Sequence, residues 1–269
     1  MLKRFGQHVR IGVASGGVAV ARTSFWRPGR AEVLAERPLA SHGELAVIAA
    51  AVREVLTGAG ARGAVVSVVL ADELVRMWQV TPPPACSRLS DLQAAAALRY
   101  RTLFGASLAG WKIVADWDAV QPFMAVAAPE ALLSALEAIV REHDGHVVEV
   151  VPQFVAALNQ WRKLRRPGAW FGLLQSQVLT MALFDGASLS AIRSAAVPPC
   201  ASREWLEGHV AREALRLGIE RPERLQLCGP APAGWISDAG QLKFACTLLD
   251  SGGDGVSDLA RLACTGCAP

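Results

Sequence analysis

Apolar and polar positions along this chain alternate in short runs and then recur at helical spacing, and that order occurs twice. Alternation and β-branched content predict strands at residues 10–14, 18–26 and 32–38. Ser41-His-Gly-Glu44 matches a capping box, in which serine and glutamate satisfy free amides at a helix start. Leu45, Ile48, Ala49, Val52, Val55 and Leu56 follow at helical spacing, Gly58 and Gly60 stop the run, and a compact apolar strand occupies 65–70. The second half repeats the plan: strands at 170–174, 178–184 and 188–193 with an Asp185-Gly186 turn, then a helix from Ser202 and a strand at 224–227. That helix presents Leu206, Val210, Ala214 and Leu217 and stops at Gly218. The offset stays near 160 residues, as from Glu44 to Glu204. Five elements in one order at one spacing predict a duplicated fold.

A segment of its own character separates the halves. A strand is predicted at 74–80, ended by Pro82, Pro83 and Pro84, and Ser90-Asp-Leu-Gln93 reads as a second capping box opening an alanine-rich helix to Phe104. Strands at 111–117 and 122–127 follow, then a helix at 130–143 with Leu132, Leu136, Ile139 and Val140 inward, a strand at 147–151 and a helix at 154–164. The basic, proline-containing run from Arg162 to Gly168 marks a lobe boundary. The expected division is a first lobe at 1–166, with a small subdomain inserted at about 72–128, and a second at 167–269. After Gly229 only a strand at 242–249 and a short helix at 259–263 are predicted, so the second lobe is expected to be trimmed.

Composition narrows the class. Hydrophobic residues make up 52% and charged residues 19%, which argues against disorder, and a net charge of +3 lacks the basic face of a nucleic-acid binder. No run reaches the roughly 18 apolar residues of a membrane span, and the N-terminus lacks the apolar core of a signal peptide, so a cytoplasmic protein is expected. The six cysteines are then expected to be reduced core fillers. Cys264-Thr-Gly-Cys267 has the spacing of half a zinc site, but no second pair accompanies it, and His143 and His146 lie far off in sequence; the segment reads as a fraying tail.

Other chemistry is sparse. Asp116-Trp-Asp118 reads as a solvated strand edge, Ser15-Gly-Gly17 lacks the GK[ST] of a phosphate loop, and no GxSxG supports a serine nucleophile. Trp78, Trp111 and Trp117 fall in the inserted segment beside Tyr100, Phe104 and Phe123. They read either as core or as the aromatic anchors of a peptide groove flanked by Arg88, Arg99 and Arg101. The run Arg162–Arg166 reads as a solvated linker, with modest attraction to anionic lipid as the alternative.

A three-stranded meander followed by helix, strand, helix, strand and helix, occurring twice, resembles the actin-like superfamily. The stretch VVLADELVRMWQVTPPP and the later APEALLSALEAIVREHDGHVVEVVPQFVAALN resemble, within it, the PilM proteins of type IV pilus assembly and the cytoplasmic domain of GspL in type II secretion. The resemblance implies an α/β, duplicated ribonuclease H-like fold. It also implies a first hairpin reading like D-I-G-S-S-S-V-K, whose aspartate places Mg²⁺ and whose amides and hydroxyls hold phosphate. Here Gly12 stands at the aspartate position and Ala19 at the lysine position, with Ser15, Gly16 and Gly17 left in the turn. The second hairpin, Leu173 to Val178, lacks the aspartate and glycine, and the adenosine-binding strand end keeps Gly229 but follows it with Pro230. Gly12, Ser15, Gly16, Gly17 and Gly229 are thus degenerate nucleotide positions, so ATP hydrolysis is not expected and no cofactor is assigned. The implied function is a non-enzymatic scaffold holding the cytoplasmic tail of a bitopic inner-membrane partner alongside other assembly-platform components, with Arg88, Arg99, Tyr100, Trp111 and Trp117 in the groove. The alternative is a divergent nucleotide-binding switch, ATPase or kinase of the same superfamily.

Overall fold

The computed structural model describes residues 7–24, 27–40, 43–84, 88–236, 243–250 and 255–267. Its first half runs β1 (Gln7–Ala14), β2 (Gly17–Ser24), β3 (Arg27–Pro38), α1 (Leu45–Gly58), β4 (Val65–Leu70), a 3₁₀ turn (Asp72–Leu74), β5 (Arg76–Val80) and α2 (Leu89–Phe104). It continues through β6 (Trp111–Ala115), β7 (Phe123–Pro129), α3 (Glu130–Glu142), β8 (His146–Pro152) and α4 (Gln153–Gln160). The second half comprises β9 (Trp170–Gln175), β10 (Val178–Asp185), β11 (Ser188–Ala196), α5 (Arg203–Leu217), β12 (Arg224–Cys228), β13 (Ala245–Asp250) and α6 (Asp258–Cys264).

Two five-stranded sheets have matching orders, β3-β2-β1-β4-β8 and β11-β10-β9-β12-β13. In each the meander is antiparallel and the last two strands join in parallel. The predicted duplication therefore appears strand for strand. The second lobe is trimmed as expected: the strand and short helix predicted after Gly229 appear as β13 and α6, and β13 joins the second sheet beside β12. Between β12 and β13 the described residues form no counterpart of α3, only a 3₁₀ turn, Ala233–Trp235.

Alternation along each strand decides what covers each face. Val9, Ile11 and Val13 of β1 meet Ile48, Val52 and Leu56 of α1 and Leu132, Leu136 and Ile139 of α3. In the second lobe Leu179, Met181 and Leu225 meet Leu206, Val210 and Ala214 of α5. The inner faces are covered crosswise. Phe154 and Ala157 of α4, a first-lobe helix, and Trp161 at its C-terminal end pack on Phe171, Leu173 and Ala182 of the second sheet. Ala263 of α6, a second-lobe helix, packs on Ala19 and Ala21 of the first. Each lobe thus lends a helix to the other.

The inserted unit is a third sheet, β5-β7-β6, with α2 on one face. Its capping differs from the expectation: α2 starts two residues early with Arg88 rather than Ser90 at the N-cap position and no side-chain cap, and Ser90 bonds Asp91 inside the first turn. Ser41 of the other predicted box lies outside the described residues, as does Cys86. Ser202 does cap α5, accepting from the Trp205 amide, and Gly218 ends the helix at φ 66°.

The basic run between the lobes is a docked turn rather than a free linker. The Arg166 amide donates to Gln226 Oε1 at 2.8 Å, Gln226 Nε2 donates back to the Leu164 carbonyl at 3.0 Å, and the Arg165 guanidinium lies 5.2 Å from the Phe184 ring centre.

Candidate functional site: a closed cleft and an open groove

The β1–β2 and β9–β10 hairpins face one another, but α6 lies between them. Gly12 sits under α6 so closely that a Cβ there would be 2.7 Å from the Ala263 nitrogen. The position at which the resemblance expects a metal-placing carboxylate is therefore covered by helix backbone. A Cβ at Gly17 would be 2.6 Å from Leu259 Cδ1 and 2.7 Å from the Arg37 carbonyl, while Gly16 faces open space. Ser15, the one hydroxyl left in the turn, is engaged by the chain itself: its amide and hydroxyl both donate to Glu73 Oε1, at 3.1 and 3.2 Å.

The second hairpin is tied to α6 as well. Gln175 Nε2 donates to the Asp258 carbonyl and Ser176 Oγ to Asp258 Oδ2, both at 2.8 Å, while the neighbouring Ser257 hydroxyl donates to Glu36 on β3. The turn residues Ser176 and Gln177 have φ of 47° and 62°, a left-handed pair that glycine or asparagine usually supplies. Gly229, at φ 94°, lies where a Cβ would be 2.0 Å from the Leu174 carbonyl. Close passage of β9 accounts for that glycine without any ligand. The sequence-predicted loop positions are thus brought to the cleft, but the donors and spaces a triphosphate needs are taken by Glu73, Asp258 and α6.

At the other end of α6 the buried Arg10 guanidinium donates from Nε to the Ala263 carbonyl at 3.2 Å and from Nη2 to the Thr265 carbonyl. A cation on the last carbonyls complements the helix dipole. Asp72, just after β4, accepts from the Phe154 amide at 3.0 Å at the start of α4. Burial pushes its carboxyl up to about 7, although the Phe154 amide and the Thr180 hydroxyl of the second lobe favour the charged form. Among the described residues no cluster of histidine, cysteine and carboxylate side chains is arranged to hold a metal ion, and His143 is engaged by Thr57 instead.

The open site lies elsewhere. A groove of about 520 Å³ runs between β8 with α4 on one side and β6 with β7 on the other. Among the described residues β8 is an edge strand of the first sheet and β6 of the third, and the third sheet turns toward the groove the face opposite α2. Val148 and Val114, on these two edges, are 55% and 60% exposed, and Leu158 of α4 adds to the apolar floor. The charged lining is three acids, Asp116, Glu137 and Glu149, against one base, Lys112.

None of the five residues assigned to a groove by sequence lines this one. Tyr100 is buried, 1% exposed, in the subdomain core with Trp78 and Phe104. Trp111 and Trp117 are half-buried against the same core, and Arg99 is exposed on α2, across the third sheet from the groove. Arg88 stands at the α2 N-cap position. The reason is the period of two along β6: Trp111, Ile113 and Ala115 turn toward α2, and Lys112, Val114 and Asp116 turn outward. Choosing the aromatic positions selected the inward set.

No protein-family profile and no curated protein sequence matches the chain. Solved structures do. The cytoplasmic domain of EpsL, an inner-membrane component of the type II secretion system of Vibrio cholerae, superposes with a TM-score of 0.61 at 15% identity, over 95% of this chain and 92% of that one. The PilM–PilN type IV pilus biogenesis complex gives 0.60 at 15% identity, over 91% and 88%. A Bacteroides thetaiotaomicron protein with an actin-like ATPase fold and unknown function gives 0.60 at 12% identity, over 91% of each chain. Together with the two matching sheets and their exchanged inner helices, these likenesses give the chain the actin-like α/β fold.

Proposed function

We propose that this chain is a non-enzymatic docking protein of a type IV pilus- or type II secretion-like assembly, holding the cytoplasmic tail of an inner-membrane partner in the groove between β8 and β6. An edge strand, β8, beside the exposed apolar face of the third sheet carries this reading. An extended peptide satisfies its backbone on such an edge and places alternate side chains in apolar pockets. The acidic lining suits a basic segment, and the cytoplasmic flanks of membrane spans are rich in lysine and arginine. EpsL, an inner-membrane component of a type II secretion system, and the PilM–PilN complex of type IV pilus biogenesis support the same direction. No helix among the described residues is long and apolar enough to cross a membrane.

The alternative, a nucleotide-dependent switch, needs the cleft to open and release Glu73 and Asp258. The direct experiment is titration of synthetic cytoplasmic tails from bitopic membrane proteins encoded beside this chain. Val114→Glu and Val148→Glu are expected to weaken capture at least tenfold, and Arg99→Glu on the far side of the third sheet to leave it unchanged. Equal binding by all three variants would remove the groove from the proposal.

A further inference from the structure

We propose that Cys264 and Cys267 form a redox-active dithiol that a small disulfide oxidant closes into an intramolecular disulfide at the C-terminal end of α6. Placement is the first argument. The Cys267 amide donates to the Cys264 carbonyl at 3.1 Å, and between them Thr265 has φ −61° and ψ 133° and Gly266 has φ 85°. Those values describe a type II turn, whose first and fourth Cα atoms lie within about 7 Å of each other. A disulfide spans Cα separations of about 4.4–6.8 Å, so the turn delivers the pair at bonding range.

The turn is held at every residue. Arg10 Nη2 donates to the Thr265 carbonyl, Gln153 Nε2 donates to Thr265 Oγ1 at 3.2 Å, and the Gly266 amide donates to Gln160 Oε1 at 2.9 Å. A side chain at Gly266 would crowd Arg10 Nη2 at 3.1 Å and Ala156 Cβ at 3.2 Å, and glycine also takes the positive φ at no steric cost. The segment read from sequence as a fraying tail is therefore docked as far as Cys267, against β1 and α4 together.

The two thiols are half-buried, within reach of a small oxidant, and they share the Arg10 guanidinium. Burial raises both, Cys264 to about 11 with Cys267 contributing, while Arg10 pulls each down. Oxidation is accordingly slow, but proximity makes the second step intramolecular. One cysteine, as thiolate, attacks a sulfur of oxidised glutathione and expels a glutathione thiolate. The second cysteine attacks the resulting mixed disulfide and expels the other. Two thiol protons pass to the two leaving thiolates, and two electrons reduce one disulfide as another forms. The other described cysteines are not so placed: Cys200 is exposed and alone on its turn, and on the neighbouring strands β12 and β13 Cys228 stands opposite Asp250 while Cys246 stands opposite Leu225. The bond would fix the turn through which α6, a second-lobe helix, is fastened to β1 and α4 of the first lobe.

The test treats the folded full chain with oxidised glutathione, then denatures it in excess iodoacetamide and maps peptides by mass. The expected result is a loss of two hydrogens, reversed by dithiothreitol and located in a Cys264–Cys267 peptide that carries no alkyl group. In Cys267→Ser the loss should vanish and Cys264 should retain one glutathione. Full alkylation of both cysteines in the treated wild-type chain, or glutathione left on either of them without an internal bond, would overturn the proposal; neither reading depends on the variant folding.

Discussion

Glu73 Oε1 accepts two hydrogen bonds from Ser15, from the amide at 3.1 Å and from the hydroxyl at 3.2 Å. Both groups are exposed, so the pair adds little to stability. Its consequence is electrostatic, because it sets a carboxylate on the donors that a phosphate-binding hairpin would offer to its ligand. A polyphosphate entering the cleft would have to displace Glu73 and then approach its charge. Millimolar Mg-ATP or Mg-ADP is therefore expected to move the thermal unfolding midpoint by no more than about 1 °C. A ligand at 100 times its dissociation constant would add about 2.7 kcal/mol, which is several degrees for a chain of this size. A rise of that order would restore the nucleotide switch as the better reading.

Gly12 makes the same point by substitution. If the missing aspartate were only a lost functional group, Gly12→Asp would be a surface repair. Instead its Cβ would lie 2.7 Å from the Ala263 nitrogen, and its carboxylate would be forced beneath α6. Overpacking costs about 1–3 kcal/mol, and an unpaired buried charge adds more. Gly12→Ala should lower the urea midpoint by the overpacking cost, and Gly12→Asp by more, with α6 becoming the first site of proteolytic cleavage. An aspartate variant as stable as the parent would mean that α6 moves aside freely.

The duplicated plan was legible because a period of two along a strand and of 3.6 along a helix are written in neighbouring residues. Leu206, Val210 and Ala214 announce the face of α5 without knowledge of what they touch. The exchange of α4 and α6 between the lobes was not legible, since nothing local to Phe154 or Ala263 names the sheet each will cover. The place of β13 beside β12 was not legible for a related reason: without a helix like α3 between them, β12 and β13 do not read as neighbours in one sheet. Glu73 and Asp258 escaped notice because each acts on a hairpin 58 or 82 residues away. The groove had one sequence signal, the apolar Val114 and Val148 at outward strand positions, which the eye passes over in favour of tryptophan.

Gln177 offers a prediction of opposite sign. It occupies the third position of the β9–β10 turn at φ 62°, where a residue with a Cβ is strained and glycine is not. Its carbonyl accepts from the Val197 amide, a bond that any residue would keep. Gln177→Gly relieves the strain at the cost of a more flexible unfolded chain, for an expected net gain of about 0.5 kcal/mol. Ser176→Ala, at the preceding position, should lose stability because it removes the bond to Asp258. Chemical denaturation of the two variants side by side should move the midpoints in opposite directions; a shift of the same sign in both would show that the turn is not where the strain resides.

Asp72 ties the stability of the lobe junction to pH. Its carboxyl, pushed up to about 7 by burial, caps α4 through the Phe154 amide and meets Thr180 across the junction. In the unfolded chain an aspartate titrates near its ordinary value of about 3.9. Between these two values the folded state holds a proton that the unfolded state has released, so stability is greatest below about 4 and falls as pH rises toward 7. Above the folded value the loss is complete and the contribution is flat. Asparagine keeps an oxygen for the Phe154 amide and carries no charge, so Asp72→Asn removes this dependence. At pH 8 the variant should be more stable than the parent by on the order of 4 kcal/mol, with the gap closing toward pH 4. Paired urea titrations from pH 4 to pH 8 would show this convergence; a constant difference would mean that the carboxyl is solvated and the junction does not respond to its charge.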